Sequence, residues 1–249
     1  MSAILSVQGL SVQFGALKAV QGVSFEAQSG GITAVIGPNG AGKSSLFNLI
    51  SGAIRPTSGV VHFEGVDVTG LAPHELLGSG LSRSFQITNL FFDLTVRENL
   101  RLAAQFLERG RGLFRPLAQS SIAWQRVDEL LSQFDLQSRA DELAGYLSHG
   151  EQRRLEIAVS LASRPRMLLL DEPTQGMSHT DTRETEALIR GLSRDHGLSI
   201  LLVEHDVDLV MQLSDHVVVM HQGEKLAEGA PADVRANPAV QAAYFGERH

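Results

Sequence analysis

The run Gly37-Pro38-Asn39-Gly40-Ala41-Gly42-Lys43-Ser44 has the spacing G-x-x-x-x-G-K-[ST]. Glycines at those positions let a loop wrap so that successive backbone N–H groups point inward at phosphate oxygens. Lys43 is placed to neutralise β- and γ-phosphate charge, and the Ser44 hydroxyl to bind Mg²⁺. The β-branched run Ile32–Ile36 leads into the loop and a helix is predicted over 44–51 behind it. That helix turns its positive dipole end toward the same anion. The chain has three lysines, Lys18, Lys43 and Lys225, and one of them falls where this chemistry needs it.

A second constellation is Met167-Leu-Leu-Leu-Asp171-Glu172-Pro173. An apolar strand ending in two carboxylates puts Asp171 at the C-terminal edge of a sheet, where ligands of α/β folds sit. Asp171 is suited to holding Mg²⁺ through water, and Glu172 to orienting and polarising an attacking water. A third is Leu147-Ser148-His149-Gly150-Glu151-Gln152. Ser148 is a good N-cap for a helix predicted over 151–162, and that helix N-terminus could equally be aimed at a phosphate. The residues alone leave the two readings level.

The elements that must position these groups follow from the patterning. Strands are predicted at 4–7, 22–27, 32–36 and 60–63, and from 95 to 145 the pattern turns helical, broken at 109–116 by Gly110, Gly112 and Pro116. Further strands at 167–170, 199–203 and 217–220 alternate with helices near 151–162 and 182–193. Buried strands alternating with helices imply a mostly parallel α/β sheet. There are no internal repeats and no linker long enough to separate two independent domains.

Composition bounds the rest. The 249 residues are 43% hydrophobic and 20% charged, with mean hydropathy +0.01, which excludes disorder and fibrous repeats. Cysteine is absent, so there is no disulfide framework, thiolate metal site or cysteine nucleophile. A net charge of −7 and a pI near 5.7 argue against a bulk electrostatic nucleic-acid binder. The N-terminus lacks the basic start and apolar run of a signal peptide. Every apolar stretch falls short of the roughly 18 residues a spanning helix needs. The expectation is a soluble chain whose membrane role comes through a partner.

In order and spacing these motifs resemble the ATP-binding subunit of an ABC transporter, over essentially the whole chain. The resemblance implies an α/β fold: a P-loop NTPase core with an N-terminal antiparallel β-subdomain and an inserted α-helical subdomain. One domain then spans 1–249, with its core at about 1–86 and 151–249 and its helical part at 87–150, including the signature. It implies ATP and Mg²⁺ as ligands, with Ser45 joining residues 37–44 in the binding set. Two subunits would pair head-to-tail, each ATP lying between one subunit's Gly37–Ser44 loop and the other's Ser148, Gly150 and Glu151. Phe14, followed by Gly15, resembles the aromatic that stacks on adenine. Gln86, after Arg83-Ser-Phe, resembles the glutamine that contacts Mg²⁺ and the attacking water. His205 in Val203-Glu-His-Asp resembles the switch histidine at the γ-phosphate. Two departures stand out: His149 and Glu151 replace the family's usual Gly and Gln, and Ser178 in Gln175-Gly-Met-Ser stands where an acid is common.

Finer likeness is to the branched-chain amino-acid importers, carried by Arg83-Ser-Phe-Gln-Ile-Thr-Asn-Leu-Phe, Leu147-Ser-His-Gly-Glu-Gln, Gly176-Met and the tail Ala236-Asn-Pro…Tyr244-Phe-Gly-Glu247. These importers imply permease subunits, a second ATP-binding subunit and an external solute-binding protein, with this chain at the cytoplasmic face of the membrane. A heterodimer is one explanation for Ser178. Urea or amide importers and the lipopolysaccharide export ATPase share much of the motif set. A soluble ABC ATPase, such as one of iron–sulfur assembly, is the alternative of another class.

Overall fold

The structure is a computed structural model that describes residues 2–84, 90–108 and 121–245. Strands β1 (Ala3–Phe14) and β2 (Leu17–Gln28) form a long antiparallel hairpin, with Phe14 opposite Leu17 at its tip. After β3 (Ile32–Ile36), β4 (Ser58–Phe63) returns antiparallel to β1 and is followed by β5 (Val66–Asp67), giving a sheet in the order β2-β1-β4-β5. The second sheet adds β6 (Leu81–Ser84), β7 (Met167–Asp171), β8 (Ser199–Val203), β9 (His216–His221) and β10 (Glu224–Gly229). Its order is β10-β9-β3-β8-β7-β6, parallel throughout except for β10 at one edge.

Alternation along the central strands explains why they read as unbroken apolar runs. Val217 and Val219 enter one core with Leu168, Leu170, Ile200 and Leu202. Val218 and Met220 enter the other, with Leu169, Leu201 and Val203. A strand buried on both faces has no polar side to show. The second core is closed by the antiparallel sheet and by helix α1 (Lys43–Ile50), whose Leu46, Phe47, Leu49 and Ile50 lie between the two sheets. Helix α2 (Pro73–Ser79) adds Leu76 to it.

The first core is covered by α3 (Val96–Ala104), α4 (Ser121–Gln133), α5 (His149–Leu161), α6 (His179–His196) and α7 (Val207–Leu213), then by α8 (Pro231–Ala236) and α9 (Pro238–Phe245). Helix α3 buries Val96, Leu100 and Ala104 one turn apart. It starts at a reciprocal Thr95–Glu98 capping box. The segment between α4 and α5 is helical only as two short 3₁₀ turns, a tighter arrangement than the helix pattern at 95–145 implies. The break at 109–116 lies outside the described residues. Among elements absent from the sequence reading, β6 (Leu-Ser-Arg-Ser) and β10 (Glu-Lys-Leu-Ala-Glu-Gly) are edge strands. With one lateral neighbour each, they escape the apolar pattern of the centre.

Candidate nucleotide site

Parallel pairing in the order β3-β8-β7 brings three distant segments to one edge of the sheet. The phosphate-type loop follows β3, Glu204 and His205 follow β8, and Asp171 ends β7 with Glu172 directly after it. The loop needs glycine for space as well as for backbone freedom. A Cβ on Gly37 would lie 2.2 Å from the Met220 carbonyl oxygen, and one on Gly42 2.3 Å from that of Ala19. Both obstacles are main chain and cannot swing away. Gly42 is also the N-cap of α1, left-handed at φ 97°, with no side chain capping the helix and no acid in its first turn. The leading N–H groups of α1 are thus left for an anion from outside the chain.

Lys43 is buried and donates from Nζ to the carbonyls of Gly37 (2.6 Å) and Pro38 (3.1 Å), which points the ammonium into the loop. Burial pushes it below the usual lysine range, opposed by the charge of Glu172. A desolvated cation at a helix N-terminus is a strong phosphate ligand. Asn39, Gly40 and Ser44 are exposed on the outer side, Ser45 half-buried.

The two carboxylates differ. Asp171 is buried, and its Oδ2 accepts from Arg83 Nη2 at 2.9 Å. Burial pushes its carboxyl above the usual aspartate range, with the Arg83 guanidinium opposing. Glu172 is backbone-strained, at φ 47°, and its N–H is held by the Val203 carbonyl. Its Oε1 lies 2.5 Å from His205 Nε2. Asp171 Oδ1 and Glu172 Oε2 are buried with no partner among the described residues. Orphaned carboxylate oxygens at a buried site fit a hard cation and its water, so the donor set suits Mg²⁺.

Phe14 is 49% exposed at the tip of the β1–β2 hairpin. The neighbouring strand β2 supplies the Ala19 carbonyl that a Cβ on Gly42 would meet. Gln86 lies outside the described residues. Ser148 caps α5, which starts two residues earlier than the sequence suggests: its Oγ accepts from Glu151 N–H, and Glu151 returns a bond from Ser148 N–H at 2.8 Å. That backbone hydrogen bond, with Arg139 3.2 Å away, holds the Glu151 carboxyl below the usual range. The acid in place of Gln is therefore a capping group with a guanidinium beside it. Ser178 caps α6 and donates to Asp181 at 2.8 Å. Among the described residues no hydrogen bond joins 148–152 to 37–45, so the chain does not close the signature onto its own loop.

Two further residues, Arg83 and Glu204, stand in the quoted runs without an assigned role. Arg83 also donates to Asn48 on α1 and to Ser51 at its C-cap, each at 2.7 Å, and lies over the Phe47 ring. Buried Glu204 accepts from Thr174 N–H (3.0 Å), Thr174 Oγ1 (2.7 Å) and His205 N–H (3.1 Å), linking the loops that follow β7 and β8.

Residues 20–175 match the family model described as ABC transporter. The chain belongs to the ABC transporter family of ATP-binding cassettes. Residues 224–249 match a second model, described as branched-chain amino acid ATP-binding cassette transporter. Among curated relatives, the cassette is 41% identical to the high-affinity branched-chain amino acid transport ATP-binding protein BraF of Pseudomonas aeruginosa, covering 98% of each chain. It is likewise 41% identical to LivG of Escherichia coli K12, again over 98% of each. A nucleotide-free ATP-binding cassette from an ABC transporter superposes with TM-score 0.87 at 31% identity, over 99% of this chain and all of that one. A dimeric cassette in a post-hydrolysis state bound to ADP and Pi superposes with TM-score 0.76 at 25% identity, over 91% of this chain and 98% of that one. As in the family, this cassette binds nucleotide and hydrolyses ATP to drive transport. No described helix is long and apolar enough to cross a membrane.

Proposed function

We propose that this cassette powers a branched-chain amino-acid importer, working at the cytoplasmic face of the membrane on permease subunits beside a second ATP-binding subunit. The observation that carries the site assignment is the convergence of the Gly37–Ser44 loop, Asp171, Glu172 and His205 on one sheet edge, with two buried carboxylate oxygens unpartnered. The tail match at 224–249 and the BraF and LivG relatives favour the substrate class. An external solute-binding protein completes the proposed system.

In this reading the loop amides, Lys43 and the α1 N-terminus bind the phosphates, Phe14 stacks on adenine, and Ser44 and Asp171, with Gln86, hold Mg²⁺. When bound by these residues, Mg²⁺ would supply positive charge that offsets the phosphates. Glu172 accepts a proton from water as its oxygen attacks the γ-phosphorus and the bond to the ADP oxygen breaks. His205 holds Glu172 Oε1, leaving Oε2 to face the water. Ser148, Gly150 and Glu151 complete the partner's site, because they do not reach their own. Loss of the γ-phosphate removes the bridge between subunits and reopens the pair.

The test is affinity purification of the full chain from detergent-solubilised native membranes, with mass spectrometry of what accompanies it. Two different permease subunits and a second cassette are the expected result. A soluble scaffold without membrane protein would overturn the transport role and leave the ATPase standing.

A further inference from the structure

Glu172 is a bulky residue held in the left-handed backbone region, a conformation that persists only when its surroundings impose it. One side chain grips the main chain there. Arg153, on the second turn of α5 and 12% exposed, donates from Nε to the Pro173 carbonyl at 3.0 Å. Its Nη2 donates to the carbonyls of Asp171 and Glu172, each at 3.2 Å. Its Nη1 is anchored by Glu156 on the same helix at 2.7 Å. Three consecutive carbonyls are thus gathered by one planar fork, which a lysine ammonium cannot reproduce. At its start the same helix comes against the first turn of α6, where a Cβ on Gly150 would lie 2.8 Å from Asp181 Oδ1.

We infer that Arg153 is a positioning residue for hydrolysis: its guanidinium sets the main chain that presents Glu172 and ties it to the helix that begins at the signature run. This rests on Glu172 being the group that activates water. In a head-to-tail pair the start of α5 faces the partner's nucleotide while Glu172 faces its own. Arg153 therefore joins the two nucleotide sites through one chain, so that a shift of α5 on closure moves the Glu172 backbone.

The test compares Arg153→Met, Arg153→Lys and Glu156→Gln in the full chain. Three quantities are read: steady-state ATPase, affinity for a fluorescent ATP analogue, and hydrogen exchange at the amides of Glu172 and Thr174. Both Arg153 variants should lower kcat about ten- to a hundredfold, the scale on which small misplacement acts. Nucleotide affinity and KM should stay within about twofold, and the two amides should exchange faster. Glu156→Gln, which leaves the carbonyl contacts in place, should stay near wild type. Unchanged kcat and exchange in Arg153→Lys would overturn the inference. So would a parallel loss of nucleotide binding, or a Glu156→Gln variant that reproduces the whole defect. Near wild-type turnover by Glu172→Gln would strike the Glu172 assignment instead, and the exchange measurement would still decide Arg153.

Discussion

Lys43 and Glu172 divide binding from turnover at the scale of single residues. Glu172→Gln keeps the shape and the His205 contact but loses basicity, so ATP should bind normally while turnover falls about 10²–10⁴-fold. Near wild-type hydrolysis would remove Glu172 from its role. Lys43→Ala should abolish nucleotide binding, and tight binding of the analogue by that variant would contradict the loop assignment. Glu204 acts differently, because its carboxylate holds Thr174 and the His205 backbone in place. Glu204→Ala leaves the Thr174 N–H and hydroxyl and the His205 N–H without their acceptor. The expected loss is roughly 1–3 kcal/mol in denaturant unfolding, with ATPase falling as the two loops loosen.

At the scale of elements, the loop-to-α1 junction and α9 make separate predictions. Gly42→Ala drives a Cβ into the Ala19 carbonyl, so the β2–loop contact must open. Nucleotide affinity should drop by at least tenfold in a direct binding measurement, while the far-UV spectrum stays native. In α9, Tyr244 packs on the first core, and burial pushes its phenol up to about 12 against an opposing hydrogen bond from the Gly37 backbone. A folded pKa above the unfolded value near 10 means stability that is whole below pH 10 and lost as pH rises toward 12. Two units correspond to about 2.7 kcal/mol. Stability curves from pH 9 to 12 should show this decline, and Tyr244→Phe should remove it. Much of the element plan was already legible: β3 and β8 occupy the runs that β-branched and apolar clustering mark. Strand β6 was not, because its Arg83 and Ser82 find their partners on α1, α5 and Asp171 rather than in a local pattern.

For the whole molecule, one continuous core runs from Leu100 and Phe134 in the helical part to Ile32 and Leu202 in the sheet. The cassette should therefore unfold as a unit. Trp124, the sole tryptophan, sits on α4 against that core. Its fluorescence and the far-UV signal should report coincident denaturant transitions. An earlier Trp124 transition would mark the helical part as an independent unit.

The sequence by itself marked the contiguous runs: the glycine spacing before Lys43 and Ser44, the carboxylates ending an apolar strand, and a helix start at Ser148 whose two readings it left level. Such runs are legible because backbone turns and helix starts are set by neighbours in the chain. Only the tertiary structure decided which groups hold those residues in place. Arg83 reaches Asp171 across 88 positions, and Arg153 reaches main-chain carbonyls 18 to 20 positions away. A carbonyl is the same in every residue, so nothing in the amino-acid order marks it as a partner. Its selection waits on the parallel order β3-β8-β7 and on the packing of α5 against that edge.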